Sequence, residues 1–256
     1  MQPILHNRNI LLALIGGLLV GGALGFLVLA PTASRITLKN IPEGSTIYLD
    51  NTVQASRGGQ ITLKRLTPGE HTLLVARDGY WPWAKHITVG RGENLEMVVF
   101  SFPVASELTP ATVAPAQTER VRAEMTQLPT REEPLFSDDE STAVWVEGRN
   151  IVASWRDRRD RLPGYFCNPD CRTRMTVFTG QVPIRSVSFY GTRNDVLLVA
   201  AENGIFGLEL DMRGTQNFQP LYSGTSPIFS LNDDALGILV YDTNPKTTGF
   251  FGIDFE

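Results

Sequence analysis

The carboxylates that could do chemistry fall in two clusters. Asp138, Asp139 and Glu140 lie in "FSDDES", and Asp233 and Asp234 lie in "LNDDA". Paired carboxylates can cleave a glycosidic bond, or they can hold calcium. Both clusters occupy the same place in a repeated pattern of strands, however, and there a solvated β-turn predicts acids without chemistry. The histidines are His6, His71 and His86. None sits in a metalloprotease helix, and neither a nucleophile elbow nor a phosphate-binding glycine loop is present. The expectation is a non-enzyme with no catalytic residues, no cofactor and no metal. A glycan-processing enzyme with its acids on the Asp138 and Asp233 turns is the alternative.

Cys167 and Cys171, in "CNPDC", are the only cysteines. A zinc site would need four ligands, and His71 and His86 belong to a distant segment. A disulfide is expected if the body is exported, with free thiols and a metal as alternatives. So short a loop gains only roughly 2 kcal/mol in the chain-entropy model. The bond would pin the long loop Arg156–Arg172 rather than do chemistry.

The compartment follows from the first thirty residues. Ile10–Leu29, "ILLALIGGLLVGGALGFLVL", carries no charged or polar side chain. Twenty helical residues span roughly 30 Å, the thickness of the hydrocarbon core. Arg8, His6 and the amino terminus precede it without an acid, while Arg35 and Lys39 weaken the charge bias beyond it. The expectation is a short cytoplasmic tail over 1–9, a transmembrane anchor over 10–30 and an extracytoplasmic body, single-pass in the cell membrane. A cleaved signal peptide is the rival. Its apolar core would be too long, and Pro31 spoils the cleavage site near Ala30. Ala13, Gly17, Gly21 and Gly25 recur every four residues and put small residues on one helix face. Gly17, Gly21 and Gly25 would let two helices approach closely, the alternative being a loosely selected anchor. The net charge of −4 argues against nucleic acid as a partner. The run "RDRRDRL", Arg156–Leu162, is basic but diluted by two aspartates.

From Arg35 to Phe102 short strands alternate with turn signals. They read "RITLKN", "STIYLD", "GQITL", "EHTLLVAR", "WPWAKHITV" and "NLEMVVFSF". Turns every eight to twelve residues predict a small all-β sandwich. Ile36, Leu38, Ile47, Leu49, Ile61, Leu63, Leu73, Val75, Leu95, Met97 and Val99 recur at period two and should face inward. The stretches "IPEGSTIYLDN" and "LTPGEHTLLVARDGYWPW" resemble the PEGA domain over residues 35–102. Ser45 stands where alanine is usual, and Asn51 where a turn glycine is common. The resemblance implies a surface-exposed β-module of a bacterial envelope protein and carries no catalysis. Tyr80, Trp81 and Trp83 follow the Asp78–Gly79 turn. They could stack on a sugar, or they could cap the core and pack against a neighbouring domain.

Residues 103–134 read as a Pro/Ala/Thr linker. Within it Val121, Met125 and Leu128 are spaced for a short helix. Over 135–256 the pattern repeats, with copies beginning at Leu135, Val187 and Ile228. Val187 and Ile228 are 41 positions apart, and the final strands "TVFTG" and "PLYSG" are 44 apart. Four strands at this period resemble a β-propeller blade. The third copy ends before its fourth strand. The fold expected is therefore mainly β, with an N-terminal transmembrane helix, a PEGA-like β-sandwich and three blade-like repeats forming an incomplete β-propeller. An unpaired third copy would favour a homo-oligomer meeting at Ile228–Glu256, unless a linker strand near Leu108–Val113 covers it. The function expected is binding or scaffolding at the cell envelope. Its partners would be the membrane, a cell-wall or surface glycan, or another envelope protein. A sensor subunit signalling through its transmembrane helix is a further alternative.

Overall fold

The computed structural model describes residues 33–56, 58–156, 162–167, 170–243 and 249–255. The expected anchor over 10–30, with Gly17, Gly21 and Gly25, lies outside them, as do residues 157–161 of the basic loop. Among the described residues no helix is long and apolar enough to cross a membrane.

The first unit is a two-sheet sandwich. One sheet has the order β4-β1-β7, from Gly59–Leu66, Ser34–Ile41 and Asn94–Val98. The other has the order β3-β2-β5-β6, from Thr52–Ser56, Thr46–Leu49, Gly69–Ala76 and Trp83–Val89. β1 pairs antiparallel with β4 and parallel with β7. Period two works as expected along these strands. Ile36, Leu38, Ile47, Leu63, Leu73, Val75, Leu95, Met97 and Val99 are buried, while Leu49 and Ile61 are partly buried against the same core. Pro42–Gly44 is a turn: Ser45 N donates to the Pro42 carbonyl at 3.3 Å, and Gly44 has φ +76°. Asp50 and Asn51 both have positive φ between β2 and β3, the requirement of a type I′ hairpin. Asn51 tolerates that conformation, so it serves where glycine is usual.

Three antiparallel meanders follow, each a four-stranded sheet. The first is β9 (Leu135–Phe136), β10 (Thr142–Glu147), β11 (Asn150–Trp155) and β12 (Arg174–Thr179). The second is β13 (Ser186–Phe189), β14 (Val196–Ala201), β15 (Gly204–Glu209) and β16 (Phe218–Ser223). The third is β17 (Ile228–Leu231), β18 (Gly237–Asp242), β19 (Gly249–Asp254) and, out of chain order, β8 (Thr109–Pro110). β14 shows why the repeats stack. In "VLLVAA" every residue but the last is buried. Val196, Leu198 and Ala200 join the core shared with the sandwich and the third meander, and Leu197 and Val199 join that of the first. A strand covered on both faces reads as a continuous apolar run.

The structure changes two expectations. The third copy's edge is not open, because Thr109 and Pro110 pair with Gly252 and Phe251, and Ala111 N donates to the Phe250 carbonyl at 3.1 Å. The motive for a homo-oligomer meeting at that edge is thereby removed. Residues 103–134 are also more than a linker. They supply β8 and the helix α1 (Thr118–Met125), whose Met125 is buried. Ser186 Oγ donates to the Met125 carbonyl at 2.7 Å and fixes the end of α1 on the second meander.

Candidate functional site

β6 is an edge strand, and its alternation puts Trp83, Lys85, Ile87 and Val89 on a buried face. A lysine on that face must find acceptors or lose its charge. Lys85 is fully buried and finds them in the second meander, 126 residues away. Its Nζ donates to the Asp211 carbonyl at 2.7 Å and the Arg213 carbonyl at 3.2 Å, and lies 2.9 Å from Glu209 Oε2. Three donors thus meet three acceptors. Glu209 Oε1 accepts from Trp83 Nε1 at 3.3 Å, and Oε2 also accepts from Asn217 Nδ2 at 2.8 Å. Burial pushes the Glu209 carboxyl above its ordinary value, with Lys85 and Asn217 pulling the other way.

Amides of the first unit are met in the same way. Asn217 Oδ1 accepts from Ala84 N at 2.9 Å, and Gln219 Oε1 accepts from Phe102 N at 3.0 Å. Two arginines clamp the far side. Arg213 forks onto Asp211 and donates to the Glu96 carbonyl at 2.7 Å. Arg193 forks onto Asp195 and donates to the Val99 carbonyl at 2.9 Å. A guanidinium held by its own carboxylate is preorganised to bind such a carbonyl. The seam therefore joins sandwich and meanders through a continuous core and through a polar network centred on Lys85 and Glu209.

The three aromatic residues at this seam differ in what they can do. Trp83 is fully buried. Its expected role as a ligand-stacking ring is corrected: it packs against the second meander, the other reading of the sequence. Tyr80 is half-buried under the Arg77 guanidinium, 4.0 Å from its ring centroid. Trp81 is half-buried and lines a pocket of about 200 Å³ with Val104, Leu108, Pro220, Leu221 and Tyr222. Its Nε1 is buried without a hydrogen-bond partner among the described residues. A pocket walled by an indole and by apolar side chains suits a ligand that offers an apolar face.

The other sequence candidates lie elsewhere. Cys167 and Cys171 are bonded. They line a cleft of about 700 Å³ with Glu93–Glu96, Leu162, Gly164 and Arg213, between the loop and the start of β7. The acidic clusters form matching turns. Glu140 N donates to the Ser137 carbonyl at 2.8 Å and Ala235 N to the Asn232 carbonyl at 2.9 Å, with Glu140 and Ala235 both at positive φ. Asp139 accepts from Ser137 Oγ, from Ser141 N and Oγ, and from Asn194 Nδ2. Partial burial would raise its pKa, but these bonds outweigh that and hold it at about 2. A glycosidase acid needs the opposite shift. Among the described residues no group of three or more His, Cys, Asp or Glu side chains could hold a metal.

Asp139 also gives a pH prediction. Its folded pKa lies below the ordinary value of 3.8, so its stabilisation is present above that value and fades as pH falls through about 2. Asp139→Asn should unfold at lower urea than wild type near neutral pH, with the gap closing toward about pH 2. A gap that is constant with pH would contradict the assignment.

Residues 33–100 match the family model of the PEGA domain. No curated protein matches the chain. Among solved structures the chain is similar to a candidate membrane-associated protein of unknown function from Bacteroides fragilis NCTC 9343. That likeness has 10% identity and a TM-score of 0.22, over 88% of this chain and 98% of that one. It is also similar to the β-propeller domain of Cps50 (Swd1) from Myceliophteria thermophila, with 11% identity and a TM-score of 0.20, over 72% of this chain and 57% of that one. At such TM-scores neither likeness bears on the fold.

Proposed function

We propose that the protein is a membrane-anchored, extracytoplasmic binding or scaffolding protein of the bacterial cell envelope, without catalytic activity. The observation that carries this reading is the seam. A PEGA domain is fixed to a second β-unit by a buried ionic network, and the aromatic pocket at Trp81 lies on the line where they meet. A site built across two fixed units is preorganised, which favours recognition. The apolar run Ile10–Leu29 supports an anchor, and the Cys167–Cys171 bond suits an oxidising compartment outside the cytoplasm. The three meanders are read as three blades of an incomplete β-propeller, the earlier segment Thr109–Pro110 supplying the fourth strand of the last.

The ligand proposed for the Trp81 pocket is a cell-wall or surface glycan. Sugar rings offer C–H faces that stack on an indole. Full-length protein in mild detergent should sediment with insoluble cell-wall glycan. Trp81→Ala should weaken that binding by about tenfold, the size expected for a buried aromatic anchor. Equal binding by the variant would remove Trp81 from the site. Release of soluble sugar during the incubation would contradict the non-catalytic reading.

A further inference from the structure

A second pocket, of about 250 Å³, lies where α1 crosses the second and third meanders, and the two arginines that line it are Arg122 and Arg185. We propose that this pocket binds a phosphate-type oxyanion, and that Arg122 and Arg185 are the residues that hold it. Each guanidinium is fixed by one of its nitrogens and keeps others unspent. Arg122 Nη1 donates to Glu119 Oε1 at 3.0 Å, and its guanidinium carbon stands 4.5 Å from the centroid of the Tyr241 ring. Its Nε is buried and has no hydrogen-bond partner among the described residues. Arg185 is tied at its backbone to the Ala200 carbonyl at 2.9 Å and at Nε to the Pro227 carbonyl at 3.3 Å. Among the described residues neither of its terminal nitrogens has a hydrogen-bond partner.

The unspent terminal nitrogens of Arg185 offer a fork, and an oxyanion is the ligand such a fork fits. Charge agrees. Among the described residues that line the pocket, two arginines face one carboxylate, that of Glu119, whose side chain is 86% exposed, so this lining carries a net positive charge on a chain of net −4. Ser226, from the approach to β17, adds a hydroxyl at the same wall. Donors thus arrive from α1, from the segment before β13 and from the segment before β17. A planar carboxylate is satisfied by one fork, whereas an anion with oxygens in several directions uses all three sources. The volume suits one such group, either free or at the end of a larger ligand that extends into solvent.

The test is calorimetric titration of the full-length protein in mild detergent with inorganic phosphate, glycerol 3-phosphate and acetate. Phosphate should bind saturably and acetate should not. Arg185→Gln and Arg122→Gln should each weaken phosphate about tenfold or more, because each removes charge-assisted bonds. Arg91→Gln, at an exposed position outside the pocket, should bind like wild type. If a glutamine variant fails to fold, Arg185→Lys keeps the charge without the fork and should bind at an intermediate level. Tighter binding of glycerol 3-phosphate than of phosphate would assign the site to a phosphorylated ligand, and the reverse order to the free ion. Absence of saturable phosphate binding, equal affinity for acetate, or an Arg185 variant with wild-type affinity would each overturn the proposal.

Discussion

Lys85→Ala is expected to lower the unfolding free energy by about 3–5 kcal/mol, the range for removing one partner of a buried ion pair. The loss is large because of what remains. Glu209 would keep a buried carboxylate without its cation, and the Asp211 and Arg213 carbonyls would lose their donor. A pH dependence should accompany it. The Glu209 carboxyl is already raised by burial, so the folded state holds its proton more tightly than the unfolded chain does. Stability attached to that group therefore falls as pH rises through the folded value. Without Lys85 the value rises further, so the deficit of the variant should be greater at about pH 8 than at about pH 5. Adding Glu209→Gln should recover part of it. Urea denaturation checks all three statements, and a deficit below about 1 kcal/mol would mean the joint is far more hydrated than its geometry implies.

Gly214→Ala should be the next most damaging change, at about 2–5 kcal/mol. Gly214 has φ +65°, which costs an L-residue roughly 1–2 kcal/mol. A Cβ there would also lie 2.0 Å from the His86 carbonyl oxygen and 2.8 Å from its carbon. Those are backbone atoms of β6, so the second meander would have to move off the sandwich, and such overpacking typically costs about 1–3 kcal/mol. Gly59→Ala separates the two causes. Gly59 has φ +81° but open space around its Cβ position, so only the conformational cost of about 1 kcal/mol applies. Equal midpoints for the two variants in urea would show that the seam yields to the added methyl.

The sandwich was legible because its strands obey period two and its turns use residues suited to positive φ. Its third strand, Thr52–Ser56, was missed for a physical reason. "TVQAS" is an edge strand with a register shift opposite Ile47 and Tyr48, so its two apolar residues do not share a face: Ala55 packs on the core while Val53 faces outward at 56% exposure. β8 was read only as an alternative, the linker strand near Leu108–Val113, and its pairing with β19 bears that alternative out. It is two residues of a Pro-rich segment, and only its pairing with β19 makes it a strand. The seam left one readable trace. In "WAKHITV" the inward series Trp83, Lys85, Ile87, Val89 contains a lysine, and a charge on a buried face demands a partner. The identity of that partner, Glu209, is set by tertiary packing and by no local pattern. Gly207 is similar: it reads as a break in a strand, and its reason is the Phe102 ring, within 2.0 Å of where a Cβ would stand.

The account rests on the PEGA sandwich and the meanders folding as one body. Differential scanning calorimetry of the full-length protein tests this most directly. One cooperative transition is predicted, with calorimetric and van't Hoff enthalpies equal, and Lys85→Ala should move that whole transition to lower temperature. Two separable transitions in the wild type, with only one of them shifted by Lys85→Ala, would contradict it.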